Sequence, residues 1–153
     1  MMLTRPKLSA ALEPATPLAS EPGTLLPPVS VNTRSRYLIT RNLNGSFGVE
    51  LRAHNGSALL SADRDAESLE LAHAAAERIR RTVQRANEAL AQGRASTARV
   101  DCRQSLTGKW YFVVCDGEQL LASSRPFDYR SRMDKALYAM RACAPGSRVQ
   151  ADE

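Results

Sequence analysis

Apolar and polar residues alternate in several short runs of this chain, and two longer runs carry an apolar residue at every third or fourth position. Alternation with a period of two predicts half-buried strands, whereas the longer spacing predicts amphipathic helices. The order of the runs predicts three strands and a helix, followed by three more strands and a second helix. A short strand-like run beginning with Arg-Val follows each helix, at residues 99–101 and 148–150.

The first unit opens with predicted strands at residues 37–40, 47–53 and 57–62. Asn-Gly pairs at residues 44–45 and 55–56 separate them, and both residue types tolerate the positive φ of a tight hairpin turn. If residues 55–56 form a two-residue loop, Leu51 faces Leu60 and Ala53 faces Ala58.

The first predicted helix begins near Asp63 or Asp65, which could cap it, and ends at Gly93. Its polar side includes Glu77 and Arg81, whose i,i+4 spacing allows an ion pair. Its apolar stripe consists of Leu69, Ala72, Ala76, Ile79, Val83, Ala86 and Leu90.

In the second unit, strands are predicted at residues 100–104, 110–115 and 118–123, with a turn at Thr107-Gly108 and a hairpin loop at Asp116-Gly117. The strand at 110–115 is apolar on both faces, which is typical of a central strand or of one beneath a partner surface. The second helix runs from Asp128 or Ser131 to Ala144, and Ser131 with Asp134 fits a capping box. Its predicted core residues are Met133, Ala136, Leu137 and Met140.

The two hairpins also echo each other in sequence. Residues 51–61 and 112–122 both hold an Asn-Gly or Asp-Gly pair followed by Leu-Leu, at a constant offset of 61 (117 − 56 = 61). At 153 residues the chain is about one domain long. We expect one domain at residues 36–153, built from repeats at about 36–98 and 99–153. Residues 1–35 hold six of the eight prolines and no periodic pattern, so we expect a disordered Pro/Ala-rich tail.

The second unit resembles the YegP-like family of small bacterial proteins. The resemblance rests on an aromatic strand, a turn, an aliphatic pair with a following Ser, an aromatic residue and a short helix: Trp110-Tyr111-Phe112, Asp116-Gly117, Leu120-Leu121, Ser123-Ser124, Phe127, Ala136-Leu137 and Met140-Arg141. In the first unit Ala66 replaces the aromatic residue. The resemblance implies an α+β fold of two tandem β-β-β-α-β units that form one antiparallel sheet. It further implies helices on one face and exchanged C-terminal strands, and it supplies no catalytic residue.

The chain carries a net charge of +5, and 18 of its 21 basic residues are Arg. Acidic residues are interspersed among them, which favours a compositional origin over a dedicated polyanion surface. Arg78, Arg81 and Arg85 nevertheless share one helix face and could contact phosphates, although a solvated helix face, diluted by Glu77 and Glu88, is the favoured explanation. A second candidate, a partner surface, comprises Trp110, Tyr111, Arg125, Arg130 and Arg132.

No catalytic or metal-binding pattern emerges. The three cysteines have no metal-ligand spacing, and nothing indicates that His54 activates Cys115 as a nucleophile. No run approaches the length of a membrane span and no export signal is recognisable, so we expect a cytoplasmic protein with reduced thiols and no cofactor. We therefore expect a monomeric, non-catalytic binding or protein-interaction module, with weak nucleic-acid binding through the Arg-rich helix face as the alternative. A protein partner is favoured over nucleic acid.

Overall fold

A computed structural model describes residues 35–152 of the chain. The predicted tail, residues 1–35, lies outside these residues except for Ser35. Strands β1 (Arg36–Arg41), β2 (Phe47–Arg52) and β3 (Ala58–Ala62) precede helix α1 (Leu69–Gln92). Strands β4 (Ala98–Gln104), β5 (Trp110–Asp116) and β6 (Gln119–Ser123) precede helix α2 (Arg130–Cys143), a 3₁₀ turn (Ala144–Gly146) and β7 (Arg148–Asp152).

The seven strands form a single sheet in the order β4-β5-β6-β3-β2-β1-β7. The units meet at the centre, where β3 pairs with β6 through Ser61–Ser123 and Ala62–Ala122. Strand β7, which follows α2, lies in the first unit because it pairs with β1. Strand β4, which follows α1, is the first strand of the second unit and pairs with β5. The predicted α+β architecture is thus confirmed, and β7 is its exchanged C-terminal strand. The sheet is mixed, because β7 runs parallel to β1 while the other pairings are antiparallel.

One face of the sheet forms the core. Cross-strand pairs such as Ile39–Val49 and Val100–Val114 point to this face, and both helices pack against it. Tyr37 and Phe112 are fully buried here. In α2, Met133 and Met140 are buried as predicted, while Ala136 and Leu137 are partly buried. In α1, Ala72, Ala76, Ile79, Val83 and Ala86 are buried as predicted, whereas Leu69 is exposed.

The N-terminal helix caps differ from those predicted. Ser68, and neither Asp63 nor Asp65, caps α1, because its hydroxyl accepts a hydrogen bond from the backbone N–H of Leu71 at 3.1 Å. The predicted C-terminal cap is confirmed at Gly93, which adopts φ 65° and donates to the carbonyls of Ala89 and Leu90.

Helix α2 follows Tyr129, which makes no side-chain cap, so Ser131 already lies inside the helix and the predicted capping box does not form. The predicted Glu77–Arg81 pair is also replaced. Glu77 binds Arg80 instead, with an N–O distance of 2.6 Å.

The first hairpin loop has three residues, one more than predicted. The N–H of Ala53 donates to the carbonyl of Ser57, and the N–H of Gly56 donates to the carbonyl of Ala53. These bonds leave residues 54–56 in the loop, with Gly56 in the left-handed region at φ 88°. Leu51 faces Leu60 as predicted, but Ala58 faces Arg52 rather than Ala53.

The second hairpin loop has two residues, Gly117 and Glu118, because Asp116 pairs with Gln119. The predicted loop at Asp116-Gly117 is therefore one residue too early. Matching bridges between Phe47 and Ala66 and between Trp110 and Phe127 support the alignment that places Ala66 at the aromatic position.

Candidate functional site

A surface pocket of about 750 Å³ lies between the first hairpin turn and α2. We call it the α2 pocket. Residues of the turn form one wall, residues 125–128 form another, and one face of α2 forms the third. The pocket therefore spans both units, and it exists because the β3–β6 pairing brings the first hairpin beside the second helix. Its size is in the range of small-ligand and peptide-anchor sites.

The floor of the α2 pocket is apolar. Leu59 and Phe127 are each 8% exposed and line it from the two units. Helix α2 contributes Ala136, Ala139 and Ala142. These side chains stop at the β-carbon, so the helix face that they form leaves space between α2 and the turn. Burial of a ligand's apolar group here would contribute about 25 cal/mol of favourable binding free energy per Å² of apolar surface removed from water.

The rim of the α2 pocket is basic. It holds Arg125, Arg132 and Lys135, and no ion pair joins any of the three to a carboxylate within residues 35–152. The guanidinium of Arg125 lies 5.0 Å from the centroid of the Phe127 ring, which orients it at the edge of the apolar floor. Three cations thus surround one opening, and none of them forms an ion pair with a carboxylate of the described residues.

Asp128 is the one acidic residue that lines the α2 pocket, and a cation outside the pocket lining neutralises it. Its carboxylate accepts a hydrogen bond from the ammonium of Lys109. That hydrogen bond and the positive charge of Lys109 lower the pKa of Asp128, and the charge of Arg132 on the rim adds a smaller effect in the same direction, so that the carboxylate stays ionised and paired with Lys109 at neutral pH. The cations of the rim remain available to a ligand.

At the corresponding turn of the second unit, two Arg side chains of α1 contact the turn residue Asp116. Arg78 and Arg85 of α1 lie 3.6 and 3.8 Å from Asp116 Oδ2. Arg78 also donates to Gln119 at 2.9 Å, and Arg85 donates to Thr97 at 3.1 Å. These contacts tie α1 across the turn. Within residues 35–152, the cations beside the second turn are thus held at a carboxylate, whereas the cations of the α2 pocket form no ion pair.

These contacts also bear on the predicted Arg-rich helix face. Arg78 and Arg85 both lie at one carboxylate, Asp116, which partly neutralises them. Arg81 is exposed and has no ion pair within the described part of the chain. The face therefore presents less free positive charge than its sequence suggests.

The structure divides the predicted partner surface among three places. Arg125 and Arg132 line the α2 pocket. Trp110 is partly buried on the core face, and the guanidinium of Arg130 stacks on its ring at 5.2 Å. Tyr111 pairs with Arg103 and belongs to the opposite face of the sheet. The floor residues cannot be recognised from the sequence, because their role depends on the meeting of distant segments. The spacing of Ala136, Ala139 and Ala142 on α2 is the one signal of it in the sequence.

The thiols show no sign of activation. Burial raises the pKa of Cys115 and Cys143, and it raises the pKa of Cys102 to about 12. All three are therefore protonated at neutral pH, and the thiol is a much weaker nucleophile than the thiolate. Within residues 35–152, no group of His, Cys, Asp and Glu side chains is arranged to hold a metal ion. Neither described helix has the length and apolar content to cross a lipid bilayer.

No protein-family model matches the chain, and no curated protein matches it. Two solution NMR structures resemble it. One is the protein of unknown function yegP from E. coli, with a TM-score of 0.63 and 16% identity over 80% of this chain and 97% of that one. The other is a UPF0339 protein from Shewanella oneidensis, with a TM-score of 0.60 and 16% identity over 78% of this chain and 92% of that one. The predicted resemblance to the YegP-like family is thus confirmed in the fold, which this chain shares with both proteins.

Proposed function

We propose that the protein is a non-catalytic binding module whose ligand site is the α2 pocket. The proposed ligand is an anionic group attached to an apolar body, as on an acidic segment of a protein partner. The observation that carries this proposal is the unpaired basic rim, Arg125, Arg132 and Lys135, around an apolar floor.

Charge and shape support the same ligand chemistry. Like charges around one opening repel each other, and a bound anion would reduce that repulsion while gaining attraction from each cation. The apolar floor would contribute by removing the ligand's hydrocarbon surface from water. A ligand that is only anionic would contact the rim and leave the floor empty, and a ligand that is only apolar would contact the floor and leave the rim cations without an anion.

Nucleic acid is a weaker candidate. Phosphate binding needs several free cations along an extended surface. On the Arg-rich helix face, Arg78 and Arg85 share Asp116, which reduces the charge that they could offer to phosphates. The rim of the α2 pocket instead concentrates its cations around a cavity, which suits a discrete anionic group.

Two fluorescent probes that differ in a single charge test the proposal. Anilinonaphthalenesulfonate combines an apolar ring system with an anion, and phenylnaphthylamine is the same ring system without the sulfonate. We expect the sulfonate to bind the full-length protein more tightly. The double substitution Arg132→Glu/Lys135→Glu should weaken its binding by about tenfold or more, because two attractions become repulsions.

The matched control is Arg64→Glu/Arg81→Glu, which changes the net charge equally at exposed positions outside the pocket lining. Far-UV circular dichroism should show that both variants keep the fold. Equal affinity for the two probes, or equal losses in the pocket and control variants, would contradict the proposed site.

A further inference from the structure

We infer that the α2 pocket is occupied in part by this chain's own N-terminal segment, residues 21–33, which competes with external ligands. The inference rests on the proposed function, since it assigns an occupant to the same site. Its structural basis is where the described chain begins. Ser35 lines the α2 pocket, so the residues that precede it continue from the pocket wall.

The start of the described chain is firmly held. Ser35 is 2% exposed, and its hydroxyl lies 2.8 Å from the hydroxyl of Ser147. Ser147 in turn donates to the carbonyl of Cys143, which is itself a pocket residue. This attachment fixes the tether point beside the pocket, so that residues 21–33 are held at a high local concentration near it.

The charge of residues 8–33 complements the rim, although Arg34 follows them and residues 1–34 as a whole hold three basic and two acidic residues. Residues 8–33 contain two acidic residues, Glu13 and Glu21, and no Lys or Arg. The rim presents three cations against one acid that is already paired. Residues 21–33 thus bring one carboxylate, Glu21, and no Lys or Arg to a basic pocket.

The apolar content of the segment complements the floor. Residues 25–29 read Leu-Leu-Pro-Pro-Val, and Glu21 lies four positions before Leu25. One segment thus offers both the anion and the apolar body that the pocket suits. Prolines at 22, 27 and 28 restrict φ, which lowers the conformational entropy lost on docking.

The segment has enough reach. Leu26 lies nine residues before Ser35, which is up to about 30 Å of extended chain. A short flexible tether gives an effective concentration on the order of 1 mM, so a segment with an intrinsic Kd of about 0.1 mM would raise the apparent Kd of a competing ligand about tenfold. An external partner would have to displace the segment first.

The test compares sulfonate-probe binding among full-length variants. Leu25→Ser/Leu26→Ser removes the apolar anchor and should lower the apparent Kd of anilinonaphthalenesulfonate about five- to tenfold. Leu3→Ser/Leu8→Ser makes the same chemical change outside residues 21–33 and should leave the Kd unchanged. A synthetic peptide of residues 21–33, added to the anchor variant, should compete with the probe and shift the amide resonances of Ala136 and Ala139.

The outcomes separate the two proposals. If the probe binds through Arg132 and Lys135 with one Kd in all variants, the segment does not occupy the pocket, and the inference is wrong while the proposed function stands. If the probe does not bind through these residues even in the anchor variant, both fail. If the effect of the anchor variant grows with protein concentration, the segment reaches the pocket of a second copy, and the intramolecular inference is overturned.

Discussion

At the scale of single residues, several buried polar groups hold the units together through partners far away in sequence. The hydroxyl of Tyr37 donates to the carbonyl of Ala144 at 2.9 Å, which links β1 to the end of α2. Arg141 is 8% exposed and donates to Asn87 Oδ1 at 2.6 Å, which links α2 to α1. Desolvation lowers the pKa of Arg141. The sequence identified none of these contacts, because a polar residue in a helical or strand pattern does not reveal its partner.

At the residue scale, we predict that Cys102 makes the stability of the protein depend on pH. Burial raises its pKa in the folded protein from about 9 to about 12. Above pH 9 the unfolded chain therefore loses this proton while the folded protein keeps it, so the thiol's contribution to stability is complete below pH 9 and is lost as the pH rises. The loss should approach about 1.4 kcal/mol per pH unit.

Urea unfolding of the wild type and of Cys102→Ala at pH 7, 9, 10 and 11 measures this effect. The free-energy difference between the two proteins at pH 7 gives the packing cost alone and serves as the reference. From pH 9 upward, the free energy of unfolding of the wild type should fall steadily relative to that of Cys102→Ala. A difference that stays constant from pH 7 to 11 would show that folding does not raise the pKa of this thiol.

At the scale of elements, the hydrophobic period located the strands and helices, but their ends depended on local competition. Asp63, Asp65 and Ser68 could each have capped α1 by residue type. The carboxylate of Asp65 instead accepts a hydrogen bond from Asn42 in the first turn, and Ser68 forms the cap. The loop lengths were decided in a similar way, because strand pairing on both sides of each turn sets how many residues remain unpaired.

The two serines near the helix starts provide an element-scale prediction. Ser68→Ala removes the side-chain acceptor of the Leu71 N–H and should lower the free energy of unfolding by about 1 kcal/mol. Ser131→Ala makes the same change one residue inside α2, where the side chain caps nothing, and should alter stability by less than about 0.5 kcal/mol. Chemical denaturation of both variants checks this. Equal losses would mean that Ser68 is not the cap.

At the scale of the whole molecule, the exchange of β7 makes the two units interdependent. Without β7, β1 would become an edge strand of the seven-stranded sheet. Val149 pairs with Tyr37 on the core face, whereas the next residue, Gln150, pairs with Leu38 on the other face. We therefore expect residues 36–153 to unfold as a single domain.

Substitutions in β7 test this cooperativity. Val149→Asp places a carboxylate against the core and should cost about 2 kcal/mol or more, whereas Gln150→Asp on the exposed face should cost much less. Trp110, the single tryptophan, lies in the second unit and so reports on the half that β7 does not join. In a single domain, Trp fluorescence and far-UV circular dichroism should give the same lowered midpoint for Val149→Asp. An unchanged Trp110 transition would show that the units unfold separately.

The sequence by itself determined the order of strands and helices, the approximate positions of the turns and most of the core face, because these depend on periodicity and on residues with restricted backbone preferences. The motif order also identified the fold. The α2 pocket was decided only by the tertiary structure. Its floor joins Leu59 to Phe127 and α2 through the β3–β6 pairing, whereas Arg78 and Arg85 lie at Asp116 beside the second turn. The charge of Arg125 and Arg132 is plain in the sequence, but their lack of an ion pair depends on where the carboxylates lie once the chain has folded.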